Sequence, residues 1–101
     1  MESKTITKKA VIDKISRKHG IHPNEVRYVV QEFLDFITEE LAKGNRFEFR
    51  DFGIFEVVKR KAKIGRNPKV PEKDVPIPAR NVAKFIPGKK LRKLVADHEW
   101  S

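Results

Sequence analysis

Between Lys59 and Arg80 the chain runs for twenty-two residues with only four sizeable apolar side chains, Ile64, Val70, Val75 and Ile77. A stretch that poor in apolar surface cannot bury enough to offset its own conformational entropy. It therefore either hangs free or projects as a ribbon from a core built elsewhere. Ala62 with Ile64, and Val75 with Ile77, keep strand-compatible spacing on either side of a Gly65–Pro71 turn region, which favours the ribbon.

The charge is placed in the same part of the chain. Residues 1–56 balance ten basic against ten acidic side chains, whereas residues 57–101 hold thirteen basic and four acidic, which accounts for the whole formal +9. Lys59, Arg60, Lys61, Lys63, Arg66 and Lys69 fall in a stretch without an acid. Arg80, Lys84, Lys89, Lys90, Arg92 and Lys93 fall in a second. A merely solvated face intersperses both signs, so this segregation reads as a footprint for phosphate.

The flanking segments pattern as a small α+β body. Thr7 is a good helix N-cap, with Ile6 and Val11 spaced as a hydrophobic staple. Val11, Ile12 and Ile15 form an apolar stripe that Gly20 stops. His22-Pro23-Asn24-Glu25 opens a second helix, with His22 as its cap and Glu25 placed to accept from free backbone amides. That helix runs to about Lys43 before Gly44. Its apolar positions (Val26, Val29, Val30, Phe33, Leu34, Phe36, Ile37 and Leu41) cover more surface than one stripe. Arg46–Arg50 alternates charged and apolar residues as a half-buried strand, Asp51-Phe52-Gly53 turns, and Ile54–Val58 returns. After the ribbon, Val82, Phe85 and Ile86 rejoin the body and Pro87-Gly88 breaks the strand. A last helix follows over about Lys89 to Asp97, with Leu91, Leu94 and Val95 inward. One domain over 1–101 results: helices over about 7–44, sheet and arm over about 45–86 with the arm at 59–80, and a C-terminal helix over about 88–97.

Without the arm, fewer than eighty residues remain for a core. Bodies of that size bury only about 60% of their unfolded surface and are marginal alone. No cysteine is present to staple them. An apolar interface shared by two chains, with twofold symmetry as its commonest form, resolves the shortage.

Three motifs in order resemble the bacterial HU and integration host factor family: Asp51-Phe52-Gly53-Ile54-Phe55-Glu56-Val57, Gly65-Arg66-Asn67-Pro68, and Val82-Ala83-Lys84-Phe85-Ile86-Pro87-Gly88-Lys89. The resemblance runs from Thr7-Lys8 to Val95. It implies an intertwined dimer: two N-terminal helices, a three-stranded antiparallel sheet with an extended β-ribbon arm, and a short C-terminal helix. It implies too that the arms wrap double-stranded DNA, each tip proline intercalating. Carried over by position, Arg60, Lys63 and Arg66 match basic arm positions, and Asn67 and Pro68 match the tip. Lys8, Lys89 and Arg92 match body positions that hold flanking phosphates, and Phe52, Phe55 and Phe85 match the aromatic dimer core, to which Phe33 and Ile37 are added from the second helix. Two departures stand out. The run Lys69-Val70-Pro71-Glu72-Lys73-Asp74 is one residue longer than the family's turn before the strand resumes at Val75, and Val58 stands where many relatives have arginine.

Each tip residue has a physical use. Gly65 permits backbone conformations closed to other residues. Arg66 and Asn67 carry donors suited to the acceptor-lined minor groove. Pro68 is rigid and lacks an N–H, so it can wedge between bases without stranding a donor. The expected DNA set is thus Lys8, Lys59, Arg60, Lys61, Lys63, Arg66, Asn67, Pro68, Lys69, Arg80, Lys84, Lys89 and Arg92. Neither a cofactor nor a metal nor a small-molecule substrate is implied. His19, His22 and His98 are scattered, with no ligand spacing and no nucleophile–base set. RNA readers of single strands expose aromatic side chains, and the 59–80 arm has none. No apolar run approaches the ~20 residues of a membrane span, and the N-terminus lacks the features of a secretory signal, so the expected location is cytoplasmic and nucleoid-associated. The sequence fits both a non-specific packaging protein and a site-specific bender, and both a homodimer and a heterodimer with a paralogue.

Overall fold

The computed structural model describes residues 3–67 and 70–98, with residues 66, 67 and 70–73 described by backbone alone. Pro68 and Lys69 of the predicted tip, and Trp100, lie outside the described residues. Helix α1, Lys8–His19, starts where Thr7 is extended and its hydroxyl accepts from the Ala10 amide at 3.2 Å. Ile6 is 68% exposed, and the cap that the structure shows is the Thr7 hydroxyl. Gly20, at φ 63, ends it in the left-handed conformation that favours glycine. The buried Ser16 hydroxyl then donates to the Ile21 carbonyl at 2.5 Å, fixing the link to the next helix.

Helix α2, Pro23–Ala42, opens on a proline whose missing N–H costs nothing in the first turn. His22 Nδ1 accepts from the Asn24 amide at 3.0 Å, so the imidazole supplies the cap that Glu25 was expected to share. At the far end Glu40 accepts from Lys43 Nζ and from Asn45 Nδ2, both at 3.0 Å, and these bonds, Lys43's first, hold its carboxyl below the ordinary glutamate range.

Strands β1 (Phe47–Phe49), β2 (Gly53–Arg60) and β5 (Arg80–Pro87) form an antiparallel sheet in the order β1-β2-β5. At the β1–β2 turn Asp51 adopts φ 66, and Phe52 N donates to Phe49 O at 3.0 Å. Strands β3 (Lys63–Asn67) and β4 (Val70–Ile77) form a separate two-stranded ribbon. Helix α3, Lys89–Asp97, is tethered by Gly88 N donating to Phe52 O at 2.8 Å.

Register places Phe47 against Phe55 and Phe55 against Phe85, and two-residue alternation adds Phe49 to the same face. Phe33 and Phe36 of α2 complete a chain of rings that includes all seven phenylalanines. Its tightest step is Phe55 to Phe85 at 4.8 Å between centroids. Gly53 is required beneath it, since a Cβ there would lie 2.5 Å from the Ile86 carbonyl oxygen and 2.6 Å from the Phe85 ring.

This aromatic layer is only half covered. Ile12 and Val26 are the buried hydrophobic residues, while Phe33, Phe36, Phe52 and Phe85 remain 49%, 55%, 47% and 36% exposed. Leu94 and Val95 of α3, expected inward, are 62% and 52% exposed. One short helix tethered at its start leaves both without cover from their own chain. The accessible surface is 9198 Å², against about 5,900 Å² for a compact monomer of this mass. The radius of gyration is 19.0 Å, against about 13 Å for a compact chain of this length. A ribbon that projects from the body raises both quantities.

Candidate nucleic-acid interface

The ribbon grows directly from the body sheet. The β2–β5 ladder continues through Lys59↔Asn81 to a last rung at Arg60↔Arg80. Lys61-Ala62 and Pro78-Ala79 then interrupt it, and pairing restarts at Lys63↔Ile77, followed by Ile64↔Pro76, Gly65↔Val75 and Arg66↔Asp74. Pro76 fits because each strand of a two-stranded ribbon is an edge, where an absent donor is tolerated.

Two expectations about the tip are corrected by this geometry. The return strand resumes at Val70 rather than Val75. The register jumps from Arg66↔Asp74 to Asn67↔Val70, passing over residues 71–73, and this shift takes up the extra length between the strands. Gly65 lies inside β3 and is not among the positive-φ glycines. Its role is room, since a Cβ at that position would stand 3.0 Å from Ile77 Cδ1.

Lys59, Arg60, Lys61, Lys63 and Arg80 are all exposed at the root of the ribbon. Arg60, Lys61, Lys63 and Arg80, with Ala62, line a cleft of about 380 Å³. Lys43–Glu40 is the one ion pair among the described residues, so within that set these cations have no acidic partner. Lys84 lies opposite Glu56 in the β2–β5 register. Lys8, Lys89 and Arg92 are exposed on α1 and α3. Both helices open on Lys-Lys with no acid in the first turn, which opposes the helix dipole unless an anion sits there. For Arg66 and Asn67 the backbone alone is described, and Pro68 and Lys69 lie outside the described residues.

Gln31 was not anticipated. Lys8 Nζ donates to Gln31 Oε1, and Gln31 Nε2 donates to Asp35 Oδ1 at 2.8 Å, so α2 holds the Lys8 amine. The two residues are 23 positions apart, and no local pattern signals the contact.

The model of the family described as bacterial DNA-binding protein matches residues 6–96. The chain belongs to this family, that of HU and integration host factor. A probable DNA-binding protein HU of Chlamydia pneumoniae is 55% identical over 91 residues, covering 90% of this chain and 91% of that protein. An integration host factor subunit alpha of Mannheimia succiniciproducens is 41% identical over 88 residues, covering 87% and 89%. An Anabaena HU–DNA cocrystal structure superposes with a TM-score of 0.79 at 34% identity, covering 91% of this chain and 99% of that one. The expected HU-like α+β fold is therefore the one observed.

Within the HU fold the anticipated cations divide into two groups. Arg60, Lys61, Lys63 and Arg80 converge on one cleft, whereas Lys8, Lys84, Lys89 and Arg92 are distributed over α1, β5 and α3. Among the described residues no group of three or more His, Asp or Glu is placed to hold a metal. No described helix is long and apolar enough to cross a membrane.

Proposed function

We propose that the protein is an architectural double-stranded DNA-binding protein, largely independent of sequence, which bends and compacts DNA through the minor groove as a dimer. It is a DNA-binding protein of the HU kind and not an enzyme. The observation that carries the reading is the ribbon itself: an arm with no core of its own and unpaired cations at its root, in a chain of a DNA-binding family.

Each residue then has a physical task. Lys59, Arg60, Lys61, Lys63, Arg66, Lys69 and Arg80 neutralise phosphate along the arm, and Asn67 offers donors to base edges. Lys8, Lys84, Lys89 and Arg92 hold flanking phosphates on the body, the helix N-termini adding their amides. Phosphate contacts supply affinity and register without reading sequence. Pro68 wedges between bases, the device by which minor-groove architectural proteins, HU and integration host factor among them, unstack and kink a duplex. The arm has the reach, since Lys59 to Pro68 extended spans roughly 30 Å against a groove about 6 Å wide.

The second chain covers what the first leaves open, with Phe33, Ile37, Phe52, Phe55 and Phe85 at the shared core. A homodimer is the simplest arrangement. Integration host factor relatives are named as subunits, which makes a heterodimer with a paralogue the second. Identity of 55% to an HU protein against 41% to an integration host factor subunit favours non-specific over site-specific bending. The protein then works in the cytoplasm, at the nucleoid.

Affinity measured across a salt series tests this. If about eight phosphates are neutralised, log K falls with log salt at a slope near −7, from ~0.9 per contact. Replacing Arg60, Lys63 and Arg66 together by Ala weakens binding to random and A-tract duplexes alike and flattens the slope by up to about 5, counting both arms. An unchanged slope, or tighter binding to duplex RNA than to duplex DNA, contradicts the reading.

A further inference from the structure

The ribbon is jointed, and the joint is where like charges meet. Two ladders, one ending at Arg60↔Arg80 and the other starting at Lys63↔Ile77, are separated by two residues on each strand. Side chains directly opposed across an antiparallel pair stand about 5 Å apart at Cβ, and like charges in that position repel. The last rung of the body sheet is such a pair, both members exposed, and Lys61 and Lys63 add two more cations to the same cleft. Backbone register sets Glu56 against position 84 and Asp74 against position 66, away from the joint. Among the described residues no acid lines the cleft.

We infer that the joint is a discrete site for a single phosphate group, whose binding between Arg60 and Arg80 stiffens the arm and fixes its direction. Four cations around an open cleft, with no counter-ion among the described residues, suit a compact oxyanion of two or more negative charges. Chloride carries one charge and offers no pair of oxygens to match either guanidinium fork, so it neutralises the site less and orients neither side chain. Arginine suits the bridging positions, since its planar fork pairs two donors with two phosphate oxygens. Repulsion across the rung leaves the two ladders free to move relative to one another when the site is empty. The inference rests on the proposed DNA-binding role only for its biological meaning, because the phosphate can come from a duplex backbone or from a free polyphosphate.

The chain contains no cysteine, so one introduced at Ile64, 71% exposed on the ribbon, takes a single fluorescent label. Time-resolved anisotropy then reads arm motion while inorganic pyrophosphate is titrated at constant ionic strength, potassium chloride making up the balance. The expected result is a saturable loss of the fast decay with pyrophosphate and none with chloride alone. In Arg80→Gln the fast decay is already reduced without anion and does not respond. Arg80→Lys, which keeps the like-charge rung but loses the fork, keeps the fast decay without anion and needs more pyrophosphate than wild type to lose it, and far-ultraviolet circular dichroism checks that both variants fold. Equal effects of pyrophosphate and chloride, or an Arg80→Gln response equal to wild type, overturn the inference. A parallel titration with a short DNA duplex separates it from the wider reading. If the duplex stiffens the arm and pyrophosphate does not, the joint site is refuted while DNA binding stands.

Discussion

At the scale of single residues, the positions that matter most to the fold are those where another atom already occupies the space. Gly53 is the clearest. A Cβ added there would stand 2.5 Å from a backbone carbonyl oxygen of the paired strand, which cannot rotate away as the end of a flexible side chain can. Gly53→Ala must push β2 from β5 beneath the Phe55–Phe85 contact, at a cost of about 2 kcal/mol or more, the scale of overpacking a tight site. Chemical denaturation measures this as a lowered midpoint, and a midpoint within error of wild type contradicts the account. Residues with a local signature were readable in advance. The Thr7 hydroxyl, the His22 imidazole and the left-handed Gly20 all do what their sequence neighbourhoods implied. Gln31 carries no such signature, because its partner Lys8 is brought to it only by the packing of α1 against α2.

At the scale of elements, the body strands were legible because Arg46–Arg50 alternates charged and apolar residues and the Asp51-Phe52-Gly53 turn sets the apolar-rich Ile54–Val58 as its return strand. The arm was legible as a region and not in its details. None of its described side chains is buried, so no buried apolar face fixes the register, which shifts past residues 71–73. The joint between the two ladders was equally silent, since Lys61-Ala62 and Pro78-Ala79 differ little in composition from the paired residues beside them. The proposed tasks along the arm separate experimentally. Pro68→Ala leaves the cations in place and removes the wedge, so it bends DNA less while losing little affinity. Ligase-mediated circularisation of short duplexes reads the bend, and an unchanged yield of circles rejects the wedge.

At the scale of the whole molecule, one chain is an incomplete structure. Its aromatic layer, its α2 face and the apolar side of α3 all lie open, and together they are the surface that the proposed second copy would cover. The sequence pointed to this through an arithmetic of too many apolar residues for too small a body, a signal that does not depend on any one position. Folding coupled to association makes the melting temperature rise with total protein concentration. A melting temperature constant across that range, with the sedimentation of a monomer, contradicts the dimer.

The most direct test of the account is the distance between the ends of a short DNA duplex, read by energy transfer between dyes at its two termini. In the altered chain, Lys61–Ala79 is replaced by Asn-Gly, a two-residue hairpin turn that keeps the Arg60–Arg80 rung. The account predicts that the wild-type protein draws the ends together and that the shortened protein, at saturating concentration, leaves them apart. Equal approach of the ends with both proteins would show that the arm is not what bends DNA.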